Sequence, residues 1–321
     1  MQTRHAYLIM AHHEFGLLET LLQLLDDPRN DIYLHVDRRA RGFDPARLHA
    51  LLTSSNLYLA ERMPVSWGGD SQIRCELRLL DMAAARGSYA YYHLLSGVDL
   101  PIKTQDEIHA FFLASDDRIY LGCNFHPAQA LLEQRLAQYH PLQNLIGRGE
   151  TRARAYLSLL DQLFCRLQRA LGINRMARSG LSYVFGDNWF SIPQAFAEYV
   201  LQQLPLIRKC FYRTKNADEL FLQTLAYNSP FREAIVPSCY RLIDWERGTP
   251  YAFRMDDLAL LLDSDRLFAR KFSQTTDSAV IEAIFRHLCK KPPRAVSAED
   301  LVPVREDAPA QPADGAPESG D

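Results

Sequence analysis

Two adjacent charged pairs are of the types that could act on a polar, phosphorylated substrate. Asp218-Glu219 stands directly before the apolar run Leu220-Phe-Leu222. A carboxylate there can cap a helix N-terminus and complement its dipole, a role that suits Asp218. Glu219 can then project elsewhere, as a general base. Arg270-Lys271 lies between Phe268 and Phe272. Arginine binds a diphosphate through its planar fork, lysine as a point charge. Read locally, the simpler account of each pair is ordinary capping or a solvated face. Asp244-Trp-Glu246 sets an indole between carboxylates, a way to hold a sugar ring, and also reads as a packed Trp with solvated neighbours. The one D-x-D, Asp263-Ser-Asp265, falls at the end of a helical pattern and reads as turn chemistry rather than a metal site. His12-His13 follows a strand signal, where neighbouring side chains would point to opposite faces, so it is not read as a metal site.

Several function classes are disfavoured. The sequence has no G-x-G-x-x-G after its first strand, no G-x-x-x-x-G-K-[ST] and no G-x-S-x-G, against dinucleotide, P-loop and serine-elbow chemistry. A net charge of -3 over 321 residues gives no global attraction to nucleic acid. Six scattered cysteines without C-x-x-C imply reduced, mostly buried thiols. No signal peptide and no apolar run of membrane-spanning length is read, so a cytoplasmic protein is expected.

The elements that must position these residues alternate. Strand signals at Ala6–Met10, Ile32–Val36, Leu57–Leu59 and Tyr89–Ser96 are separated by helical patterns. In one, Leu17, Leu21, Leu24 and Leu25 share a face. The next is opened by Asp70 as cap and carries Ile73, Leu77 and Leu80. Such alternation predicts an α/β fold with a mostly parallel central sheet flanked by helices. Ligands bind beyond the carboxyl ends of such strands, which gathers Asp37, Trp67-Gly-Gly69 and Gly97-Val-Asp99 at one edge. Residues 127–180 read as a helical, Arg-rich insertion with an apolar stripe of Leu157, Leu160, Leu163 and Phe164. It is either packed on the domain with a solvated basic face, or, through 146–178, in peripheral contact with a membrane or an acidic glycan. Strand signals return at Tyr183–Ile192 and Cys239–Trp245, helices near 193–203 and 217–227, and a last helix over Ala279–Leu288 turns Val280, Ile281, Ile284 and Phe285 inward. One domain over 1–295 is expected, then a disordered tail at 296–321.

These pieces stand in a specific order: Tyr33-Leu-His-Val-Asp37, Val65-Ser-Trp-Gly-Gly69, His93-Leu-Leu-Ser-Gly-Val-Asp-Leu-Pro-Ile-Lys-Thr104, Gly186-Asp-Asn-Trp-Phe190, Ala217-Asp-Glu-Leu-Phe221, Arg241-Leu-Ile-Asp-Trp245 and Leu267-Phe-Ala-Arg-Lys-Phe272. In that order the chain resembles the core-2/I-branching N-acetylglucosaminyltransferases and peptide O-xylosyltransferases, glycosyltransferase family 14. The resemblance covers about residues 5 to 290. It implies a GT-A-like nucleotide-sugar fold and inverting transfer from a UDP-sugar without the usual metal or any other cofactor. By position it makes Glu219 the catalytic base. Arg270 and Lys271 become the diphosphate ligands, with Arg247 assisting. Val36 and Asp37 fall beside the uridine and Asp99 in the donor loop. Trp67, Asn188, Trp189 and Trp245 become contacts of the donor and acceptor sugars.

The chemistry is self-consistent. One carboxylate suffices to deprotonate an acceptor hydroxyl, because the nucleotide leaves as an anion held by Arg270 and Lys271. The chain departs from the resemblance at Asn188, often acidic in the xylosyltransferase branch; the anchor, stem and disulfide cysteines of the animal enzymes are not read in this sequence, so a bacterial-type enzyme of surface polysaccharide synthesis is expected. The donor stays open between UDP-xylose and UDP-N-acetylglucosamine, the acceptor being a glycan or peptide. The competing class is a non-catalytic glycan- or nucleotide-binding protein on the same fold.

Overall fold

The computed structural model describes residues 3–148, 151–289, 294 and 296; most of the expected tail lies outside them. Among the described residues there are ten strands: β1 (His5–Ala11), β2 (Asn30–Val36), β3 (Asn56–Leu59), β4 (Tyr91–Ser96), β5 (Leu100–Pro101), β6 (Ile119–Leu121), β7 (Phe190–Pro193), β8 (Ile235–Val236), β9 (Arg241–Ile243) and β10 (Phe268–Arg270). Seven form one sheet in the order β3-β2-β1-β4-β7-β6-β8, and β5-β10-β9 form a second. Strands β3, β2, β1 and β4 run parallel, as do β6 and β8; β7 is antiparallel to both its neighbours. This is the expected α/β arrangement, a mostly parallel central sheet flanked by helices.

The helices are α1 (Phe15–Leu24), α2 (Pro45–Leu51), α3 (Ser71–Ala84), α4 (Gln105–Leu113), α5 (Gln129–Leu132), α6 (Gln143–Ile146), α7 (Arg152–Ala170), α8 (Gln194–Gln202), α9 (Leu204–Phe211), α10 (Phe221–Tyr227), α11 (Leu258–Asp263) and α12 (Ser278–Leu288). They cover both sheet faces, which is why β1 and β2 are buried almost without interruption instead of on alternate residues. Along β1, Tyr7 and Ile9 enter a core with Leu17 and Leu21 of α1 and Ile284 of α12. Ala6 and Leu8 enter the other, with Ile73 and Leu80 of α3 and Phe196 of α8. The period of two along a strand delivers successive side chains to opposite cores.

Several local expectations are corrected. Asp70 precedes α3 but makes no cap; its carboxylate instead accepts from Arg74, Asn144 and the Arg213 amide. Of Tyr183–Ile192 only the end is regular strand. Before it Phe185 makes an isolated bridge to Asn124, and only a glycine fits at 186, where a Cβ would sit 1.6 Å from the Gly122 carbonyl oxygen. The strand read at Cys239–Trp245 is confined to β9. The helix read from 217 opens with a separate 3₁₀ turn, Ala217–Glu219, and α10 starts only at Phe221. Asp218 in that turn does not cap it but is buried. His12 and His13 do not diverge: the strand ends at Ala11, and their rings stack at 4.1 Å. Of the expected stripe on α7, Leu157 and Leu160 are half-buried but Leu163 and Phe164 are exposed, and the buried residues are Asp161, Cys165 and Gln168.

Candidate active site

The carboxyl edge of the main sheet gathers the residues expected there. The Asp37 amide donates to the Ala11 carbonyl at the end of β1, and the Gly97 amide to that of Met10. Val36 is buried and pairs with Ala11. The Asp37 carboxylate accepts from the Arg39 guanidinium and from the Arg39 and Val65 amides, drawing the Trp67 loop to the same edge. Burial would raise its pKa, but these hydrogen bonds override it and hold the group at about 2.

Asp99 is fully buried and accepts from the Ser96 amide and hydroxyl. It faces Arg270, whose Nε lies 3.6 Å away. Arg270 lies over the Trp189 indole with Cζ 4.1 Å from the ring centroid. Arg241 approaches the same indole at 5.5 Å and donates to the Leu94 carbonyl. The register of β9 with β10 explains the pairing, since Phe268 stands opposite Arg241. A buried carboxylate, two guanidiniums and an indole therefore form one stack. Lys271 follows it in sequence. Its charge reaches His12 and His13, whose pKa values are lowered first by desolvation; their mutual repulsion on His12 and the Lys271 charge add to it.

Glu219 sits on the other side of the Gly186-Asp-Asn-Trp189 loop. Its backbone carbonyl accepts from the Gly186 amide at 2.9 Å, so one loop contacts Glu219 at its start and Arg270 at its end. The Glu219 side chain is 30% exposed and accepts from Arg135 Nη1 at 2.5 Å. Gly68, at φ +71, accepts from the Asn216 amide, which sets the Trp67 loop beside the 217–219 turn. Trp67 is exposed, with the Arg148 guanidinium over it at 5.8 Å. Asn188 is half-buried. Trp245 is exposed beyond β9. Arg247 is held by Asp244 and Asp257 and stacks on Tyr251 at 4.1 Å.

Behind Glu219 lies a polar pocket of the core. Asp218 is buried, one oxygen accepting from Gln72 at 2.9 Å and the other without a partner. Burial, then the charge of Glu219, raises its pKa to about 7. Glu76 on α3 is buried with both oxygens unpartnered; burial and then Asp218 push its pKa well above the carboxylate range. Neither Glu76 nor Arg135 was singled out by the sequence reading. Glu76 left a signal, a carboxylate three residues after Ile73 on the apolar face of α3. Arg135 left none among so many arginines.

Among the described residues one group of ligating side chains could hold a metal, His140, Asp161 and Cys165, with atoms within 4.8 Å of one another. It lies in the 127–180 insertion. Asp263 and Asp265 are no part of it; Asp263 ends α11 and Asp265 pairs with Arg266.

Fold and site together define an α/β protein whose parallel sheet edge carries a cationic, indole-backed cradle and a separate carboxylate–arginine pair. Within that class the chain belongs to the Core-2/I-Branching enzyme family, whose profile matches residues 5–260. Xylosyltransferase 2 of Canis lupus familiaris is 26% identical over 311 residues, covering 89% of this chain and 34% of the dog protein. The Homo sapiens xylosyltransferase 2 is 26% identical over 321 residues, with the same coverage. Xylosyltransferase 1 of Homo sapiens is 25% identical over 310 residues, covering 87% of this chain and 30% of the human protein. The chain thus spans about a third of the length of these curated relatives.

Proposed function

We propose that the protein is an inverting glycosyltransferase that moves xylose or N-acetylglucosamine from a UDP-sugar to a hydroxyl of a glycan or peptide. The observation that carries the reading is the single loop Gly186–Trp189, bonded to Glu219 at one end and stacked under Arg270 at the other. A base and a cationic cradle on either side of one loop are what in-line displacement needs. The acceptor oxygen forms a bond to the anomeric carbon as the bond from that carbon to the diphosphate oxygen breaks. Glu219 takes the hydroxyl proton, and the electron pair leaves with UDP, stabilised by Arg270 and Lys271. The carbon has oxocarbenium character at the midpoint. Asp99 pairs with Arg270, and the exposed indoles of Trp67 and Trp245 offer faces for sugars.

Family membership and the xylosyltransferase relatives support this reading over a non-catalytic binder. A cytoplasmic enzyme of bacterial surface polysaccharide synthesis belongs to the same proposal. The test is UDP release from UDP-xylose and from UDP-N-acetylglucosamine, with and without a chelator. Release from one donor that survives chelation is expected. Donor binding without release, seen as a thermal shift alone, would instead make the protein a binder; strict manganese dependence would overturn the cationic role of Arg270 and Lys271.

A further inference from the structure

Helix α7 faces the wrong way for a helix of a water-soluble domain. Its inward residues are Asp161, Cys165 and Gln168. Its outward residues include Tyr156, Leu159, Leu163, Phe164, Leu167 and Leu171, which are 43% to 68% exposed. At 3.6 residues per turn the two sets lie about 130° apart. A contiguous exposed apolar stripe of this size marks an interaction surface.

The orientation is held by specific bonds. Asp161 accepts from His140 at 2.7 Å, Cys165 lies 3.6 Å from the same imidazole, and Gln168 both donates to the Tyr139 carbonyl and accepts from its amide. Rolling the leucines inward would break all of these and strand buried polar atoms. The surrounding charge selects the occupant. Residues 148–178 carry seven arginines against the carboxylates Glu150 and Asp161, whereas the whole chain has a net charge of -3. Arg152, in the first turn of α7, and Arg166, beside the stripe at 100° per residue, are both exposed. Apolar stripe and arginine flank together match the boundary between anionic headgroups and acyl chains. No helix among the described residues is long and apolar enough to cross a membrane, so α7 would lie in the interfacial plane.

We infer that α7 is an interfacial membrane helix that inserts its leucine stripe into an anionic bilayer surface. The insertion is rooted at the active-site rim: Arg135 pairs with Glu219, Arg148 covers Trp67, and Asn144 bonds Asp70 at the start of α3. Docking through α7 thus fixes how the rim meets the membrane, a consequence that rests on the proposed transferase reading.

The experiment is flotation of the full chain with phosphatidylcholine vesicles, with and without phosphatidylglycerol, beside Leu159→Ser/Leu163→Ser/Leu167→Ser. The replaced side chains are exposed, and an unchanged Tm verifies the fold. The wild type should float with the anionic vesicles at least ten-fold more than the triple variant, and less at high salt. Absence of flotation, or flotation unaffected by the triple change, overturns the inference. So does a wild-type dimer in light scattering that the triple variant dissolves without any vesicle binding, which would assign the stripe to a second copy. UDP release in solution, measured in both forms, separates this outcome from failure of the transferase reading.

Discussion

Arg135 donates its Nη1 to Glu219 Oε2 at 2.5 Å, and its guanidinium also lies over the Phe185 ring at 5.1 Å. The proposed base is thus gripped by the insertion rather than by the sheet that carries the donor side of the site. Glu219→Gln retains the shape and this hydrogen bond but cannot take a proton. Transfer should fall by about 10² to 10⁴, the usual worth of a positioned general base, with donor affinity unchanged. Arg135→Met removes the grip and leaves the carboxylate. It should lower kcat with little change in the donor KM, and by less than Glu219→Gln. Steady-state kinetics decide: full activity in Glu219→Gln removes Glu219 as the base, and a pure donor KM effect in Arg135→Met removes the positioning role.

Arg270 works between two fixed surfaces, the Asp99 carboxylate and the Trp189 indole. The carboxylate asks only for charge, but the indole stack requires a planar cation. Arg270→Lys keeps the charge and loses the flat stack, so it should weaken UDP binding nearly as much as Arg270→Ala. A lost charge-assisted contact is worth about 1.5–3 kcal/mol, roughly a ten- to hundred-fold rise in Kd. Lys271→Ala, which removes a point charge, should also weaken UDP binding. Calorimetric titration with UDP measures all three. An Arg270→Lys variant that binds like wild type would show that charge alone matters there.

The sheet was legible in the sequence because its central strands are continuous apolar runs between helical patterns. Leu17, Ile73 and Ile284 sit in the cores their spacing assigns them. The edge residues Asp37 and Asp99 were legible from strand ends alone. Glu219 and Arg270 were not: locally they look like capping and a surface pair, and only the ordered motifs single them out. What the sequence hid was tertiary. The Asp70 carboxylate is drawn from capping to Asn144 and Arg213, residues far along the chain. The direction of α7 is set by His140 and Tyr139, which periodicity cannot see, since an apolar stripe looks the same facing in or out.

The buried Asp218 makes stability depend on pH in a direction opposite to that of most carboxylates. Its folded pKa is raised to about 7 by burial and then by Glu219, whereas an unfolded aspartate titrates near about 4. The folded state therefore holds the proton more tightly. Its contribution is fully present below about pH 4, is lost as pH rises, and is gone above about pH 7. Over that window the slope reaches at most about 1.4 kcal/mol per pH unit. Asp218→Asn removes the titration and keeps the shape, and Gln72 can turn its amide to accept from the new one. Urea unfolding across pH 4 to 8 should show a flatter profile for Asp218→Asn than for the wild type, with the variant relatively better at the alkaline end. Parallel profiles would mean that Asp218 stays ionised in the folded protein.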